Sequence, residues 1–165
     1  MTFDWIILAL SALALWSAIV GGIFWAFSDF IMKALIRAEP AAGIEAMQEI
    51  NKTVIGTQFV AGILLIPALS VGLAIYASGA ATGLAMQAII LAPLVFIPSV
   101  LLMTMIGNVP MNNRLARLDY RSEDAAAYWK TYGRRWTRLN HVRTAGSLAT
   151  AILYMIAALT FPGPV

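Results

Sequence analysis

Trp136-Thr137-Arg138-Leu139-Asn140-His141-Val142-Arg143 stands directly before residues 144–161, a run without a single charge. A spanning helix needs about 20 apolar residues, so the run reads as the core of a membrane span, with these eight residues at its mouth. They include the chain's only histidine. A charged or amide group at the edge of lipid is costly unless it is paired or faces a cavity. At 100° per residue, Trp129, Trp136, Asn140, Arg143 and Ser147 share one helix face, while His141 lies about 100° to the side of Asn140.

The rest of the composition agrees with a membrane protein. The chain has 165 residues, 61% hydrophobic and 12% charged, with a mean hydropathy of +0.80. Soluble domains lie nearer 45–50% apolar and about 25% charged. Cysteine is absent, which excludes disulfides, thiolate metal sites and a cysteine nucleophile. The net charge of +3 fits membrane topology, and no nucleic-acid recognition module is visible. Met1-Thr2-Phe3-Asp4 is acidic where a cleavable signal would be basic, and the run after it is too long for one.

Four spans are expected, at about 5–32, 53–76, 84–106 and 139–161, in a single domain over 1–165. The fold class is all-α, an integral membrane four-helix bundle with helical extensions on the cytoplasmic side. The first span would be about 42 Å long against a hydrocarbon core of about 30 Å, so it must tilt or protrude. Pro40 suits a first helical turn. From Ala41 the sequence predicts one long helix running to a kink at Pro67, with Met47, Asn51, Val54 and Gln58 on one face. Residues 77–83 read as a short uncharged turn. Pro93 and Pro98 should bend the third helix, and Gly107-Asn108-Val109-Pro110 should end it, because proline disfavours helical geometry in the preceding residue. Ser122 can cap a further helix, with Glu123 and Asp124 favourable in its first turn. Gly133 weakens that helix without necessarily breaking it, so it can run on into the fourth span.

All eleven Lys and Arg residues fall in 33–53 and 107–143, which four spans put on one side. The positive-inside rule places that side in the cytoplasm and both termini outside it. The polar residues gather at the same level. Ser28 and Asp29 end the first span, Asn51 and Gln58 begin the second, Asn108, Asn112 and Asn113 end the third, and Asn140, His141 and Arg143 begin the fourth. Such a cluster at one end of an apolar bundle is the usual form of a small-molecule site. Packing roles compete with it: amides hydrogen-bond across bundles, and a long cation can snorkel. Histidine titrates near neutrality, so His141 is the first candidate for a general base. Three strong metal ligands are hard to assemble here; no cofactor is expected, and a haem or single metal at His141 stays open. There is no phosphate-binding glycine loop and no nucleotide fingerprint.

Gly21 to Ser28, Met47-Gln48-Glu49-Ile50-Asn51, Gly107 to Leu115 and Trp136 to Arg143 together resemble, in order and spacing, the anthrone oxygenase-like membrane family. The resemblance covers almost the whole chain and implies a four-helix membrane bundle. It further implies oxidation of an anthrone-type, small hydrophobic aromatic substrate by dioxygen, without an established cofactor. An anthrone has an acidic methylene whose carbanion can pass an electron to dioxygen. His141 would then be the base and Asn140, Asn112 and Arg143 the donors to the oxyanion. Trp25, Trp129 and Trp136 would stack on the rings, and Ser28, Gln48, Asn51, Gln58 and Asn108 would complete the binding site. A non-enzymatic lipid- or small-molecule-binding membrane subunit and a haem- or metal-containing redox protein are the alternatives. Membrane lipid is an expected partner, nucleic acid is not. Gly21, Gly22 and Ala26 suit helix packing within one chain or between copies in a homo-oligomer, and both stay open.

Overall fold

The computed structural model describes residues 5–79 and 81–162. The acidic start at Asp4 lies outside the described residues. The described residues form five helices: α1 (Trp5–Arg37), α2 (Pro40–Thr53), α3 (Gln58–Ala77), α4 (Gly83–Ala116) and α5 (Glu123–Thr160). All but α2 are long and apolar enough to cross a membrane. No strand occurs among the described residues. The fold is the all-α, four-span membrane bundle that hydropathy implies.

Neighbours set the layout. α5 packs along α1 and along α4, and α3 closes the other side against the same two helices. Thus α1 lies across the bundle from α4, and α3 from α5. Within lipid no hydrophobic force joins helices, so close backbone approach matters. A Cβ on Gly21 would meet Leu148 at 2.9 Å, and one on Gly146 would overlap Ser99. Both glycines therefore fasten α5 within the chain, while Gly22 faces open space. The spanning core holds Leu10, Val20, Phe24, Ile66, Phe96 and Tyr154. A second core, with Met32, Ile44, Met47, Leu115, Trp129 and Tyr132, sits where α2 caps the basic end of the bundle.

Two expectations fail, each for a local reason. α2 does not continue into the second span: Val54–Gly56 form a 3-10 turn and Thr57 is extended, with ψ 160°. The Thr53 and Thr57 hydroxyls bond back to the carbonyls of Glu49 and Val54 at 2.8 and 2.7 Å, and Gly56 adds chain entropy. Gln58 therefore opens α3 and does not share a face with Asn51. Nor does Pro110 end the third span, which stays helical to Ala116. The turns over Ile97–Asn108 are π-helical, with the Val109 N–H reaching the Thr104 carbonyl. Both prolines lie inside this continuous helix, Pro98 within the π-helical stretch and Pro110 directly after it, and local π adjustment of this kind accommodates a missing N–H within a spanning helix.

Gly83 opens α4 with φ +56°, a conformation glycine adopts without strain. Ser122 caps α5 by accepting from the Ala125 N–H at 3.1 Å. From there α5 runs unbroken for 38 residues, through Gly133 and into the membrane. Gly133 sits against Ile36, where a Cβ would come within 2.6 Å of the Ile36 side chain.

Candidate functional site

Asn140 is the centre of the polar cluster and is fully buried. Its amide nitrogen donates to the Phe24 carbonyl at 2.5 Å and to the Ser28 hydroxyl oxygen at 2.6 Å, joining α5 to α1. Its carbonyl oxygen accepts from Arg143 Nη2 at 2.6 Å, one helical turn deeper. Arg143 is 5% exposed, and among the described residues no carboxylate lies within ion-pair range of it. Its guanidinium lies over the Phe24 ring at 4.3 Å and the Trp136 ring at 5.1 Å, and Nη1 reaches Thr104 Oγ1 at 3.5 Å. Aromatic faces thus take part of the role an anion would fill. Ser28 and Thr104 both come from π-helical turns, which recur at functional sites.

On the side of this cluster nearer the aqueous phase stands a scaffold. Asn112 Oδ1 accepts from Tyr132 Oη at 2.8 Å and Trp136 Nε1 at 3.0 Å, which locks both rings. Tyr132 stacks on Trp129, with centroids 5.3 Å apart, and Trp136 tilts against Phe27 at 5.7 Å. Asn108 is buried and donates to the Trp136 carbonyl at 3.3 Å. Gln48 reaches across from α2 and donates to the carbonyls of Leu115 and Leu118, both at 2.9 Å. The Leu115 carbonyl, in the last turn of α4, also accepts the Leu118 N–H at 3.2 Å, and Leu118 lies in the turn just past Ala116, so Gln48 ties α2 to the end of α4 and the turn that follows it. Asn51 faces Tyr132 from α2.

His141 points elsewhere. It is exposed and lines a groove of about 670 Å³ between α1 and α5, with Trp25, Ser28, Asp29, Lys33 and Arg138. The volume falls within the usual range for ligand pockets, about 300–1,000 Å³. Trp25 is 58% exposed, its ring free to meet a ligand. Ser28, itself buried, belongs to both regions: it lines the groove and accepts from Asn140.

The structure therefore divides the residues singled out from sequence. Asn140 and Arg143 form one buried pair, and Ser28 links it to the groove that holds His141 and Trp25. Asn112, Asn108, Gln48, Asn51, Trp129 and Trp136 form the scaffold. Gln58 stands exposed at the start of α3. Of the further partners of Arg143, Phe24 lay within the Gly21 to Ser28 motif without a role of its own, and Thr104 carried no sequence signal, being an ordinary hydroxyl in a span. Among the described residues no three His, Asp or Glu side chains gather where they could hold a metal ion.

The four-span bundle defines a membrane protein, in which a buried polar pair lies behind a lateral groove. The chain belongs to the anthrone oxygenase family, whose sequence model, described as anthrone oxygenase, matches residues 49–153. The match takes in Asn51, Thr104, Asn108, Asn112, Trp136, Asn140, His141 and Arg143, and leaves out Phe24, Trp25 and Ser28. No curated protein matches the chain, and no solved structure does.

Proposed function

We propose that the chain is a membrane oxygenase that oxidises a flat, hydrophobic ketone of the anthrone type with dioxygen, in the groove between α1 and α5. One observation carries this reading: the hydrogen-bonded series Arg143, Asn140, Ser28, which ends at a hydroxyl lining the same groove as His141. Family membership supports the substrate class.

In this reading the rings lie along Trp25, and His141 takes a proton from the methylene carbon. The ketone oxygen becomes an enolate and accepts from the Ser28 hydroxyl. Asn140 donates to Ser28 while accepting from Arg143, so the buried cation is felt at the groove through two polarised bonds. Such aligned donors act strongly where water is scarce. The carbanion passes one electron to dioxygen. The resulting carbon radical and superoxide combine, and protonation yields a hydroperoxide at that carbon. Loss of the second C–H proton, with departure of hydroxide, leaves a carbonyl. The balance is one methylene and one O₂ giving one carbonyl and one water. The positive-inside rule puts this site at the cytoplasmic mouth, with both termini on the opposite side.

Oxygen uptake by purified protein with anthrone, corrected for spontaneous oxidation, tests the reading. Wild type should accelerate uptake. His141→Ala should lose about 10²–10⁴-fold of the enzymatic part, the usual contribution of a positioned base, and Ser28→Ala should also lose rate. Wild-type uptake at the spontaneous rate would overturn the oxygenase reading and favour a binding subunit.

A further inference from the structure

α5 has a second groove on its other flank, against α4, with a volume of about 1,000 Å³. It contains none of the residues assigned above to the oxidation. Its two ends differ in chemistry. Towards the aqueous end stand Arg114, Tyr128, Thr131 and Arg135; deeper, the walls are Met103, Ile106 and Leu139. The Arg114 guanidinium lies over the Tyr128 ring, 4.2 Å from its centroid, and Arg135, on the same helix as Tyr128, lines the groove with them. Neither arginine has a carboxylate within ion-pair range among the described residues. Asp124 lines the same groove, but in the first turn of α5, where the helix dipole holds a carboxylate favourably.

The geometry points to a binding site for an anionic phospholipid in the α4–α5 groove, its phosphate held between Arg114 and Arg135 and its chains laid on Met103, Ile106 and Leu139. Three features favour a lipid over a soluble phosphate. The two arginines of the groove stand at the basic end of the bundle, the level at which lipid headgroups lie. The groove passes from cationic to apolar along its length, as an amphiphile does. Ile106, 74% exposed, contributes apolar surface that a free phosphate would leave in water. At Gly107 a Cβ would meet Leu139 at 3.0 Å, so the missing side chain lets the two walls close beneath the headgroup. Guanidinium groups suit phosphate because their paired N–H donors match two of its oxygens. The site is independent of the oxidation proposed for the other groove.

The test is lipid binding by delipidated full-length protein, followed by native mass spectrometry. Phosphatidylglycerol should bind more tightly than phosphatidylcholine, and millimolar inorganic phosphate should not displace it. At about 1 kcal/mol per basic residue near an anionic surface, Arg114→Gln/Arg135→Gln should lower phosphatidylglycerol affinity about 30-fold. Arg117→Gln/Arg121→Gln, equal in charge removed but outside the groove, should change it little. Equal losses in the two double variants would overturn the site in favour of diffuse charge attraction. Displacement by phosphate would show an anion site without a lipid. Because loss of the Arg114–Tyr128 contact could disturb folding, the unaltered protein is also labelled with a phosphatidylglycerol carrying a photoreactive acyl chain. Adducts concentrated at Met103, Ile106 and Leu139 support the site, and adducts spread evenly over the outer face of α3 refute it.

Discussion

Removing the Asn140 side chain should expose how the bundle tolerates a buried arginine. Asn140→Ala deletes two donations to α1, at 2.5 and 2.6 Å, and the 2.6 Å acceptor of Arg143. Hydrogen bonds between membrane helices are measured at about 0.6 kcal/mol on average, with a maximum of about 1.7. The two donations thus contribute about 1–3 kcal/mol. The charge-assisted bond adds about 1.5–3 kcal/mol, because its loss leaves Arg143 with only Thr104 and the ring faces. The expected destabilisation is about 2.5–6 kcal/mol. Reversible unfolding in mixed micelles, followed by helical circular dichroism, measures it. Thr150→Ala is the control: its hydroxyl bonds only the Gly146 carbonyl of its own helix, and its loss should be within about 1 kcal/mol. The decisive comparison is Asn140→Ala/Arg143→Met. Removing both partners also removes the orphaned charge, so the double variant should be more stable than Asn140→Ala alone. Strict additivity of the two single effects would refute the coupling.

Other perturbations separate packing from binding. Gly146→Ala should destabilise by about 1–3 kcal/mol in the same assay, since the new methyl overlaps Ser99 at a tight α4–α5 contact, whereas Gly22→Ala, with nothing within 4 Å, should be neutral or slightly stabilising. Gln48→Leu should remove the two bonds to the carbonyls of Leu115 and Leu118 and loosen α2, seen as faster amide exchange over 40–53 with the spans unaffected. Trp136→Phe loses the indole N–H bond to Asn112, while Tyr132 still donates to that oxygen, so a loss of about 0.5–1.5 kcal/mol is expected.

The sequence made much of this legible because its strongest signals are local. The uncharged run after Arg143 marks the fourth span, and Ser122 with Glu123 and Asp124 marks where that helix begins. A 100° step separates His141 from Asn140, and the two indeed face different sides of α5. What stayed hidden depends on neighbours in space. That Ser28 meets Asn140 requires α1 beside α5 in one register, across 112 positions of sequence. The break at Val54–Gly56 was masked because its residues continue the hydropathy of the span, while the threonine hydroxyls that compete with the helix leave no trace in hydropathy. Pro110 reads as a stop unless the turn before it is known to be π-helical. Gln48 reads as a ligand-binding amide, yet it bonds the carbonyls of Leu115 and Leu118 where α4 gives way to the next turn.

The measurement closest to the central claim is anthrone oxidation under ¹⁸O₂ by membranes holding wild-type protein, with Asn140→Ala membranes at matched protein level alongside. The account predicts protein-dependent formation of anthraquinone with one atom of ¹⁸O in its new carbonyl, lost in the variant. Equal rates and labelling in wild-type, variant and protein-free membranes would contradict it.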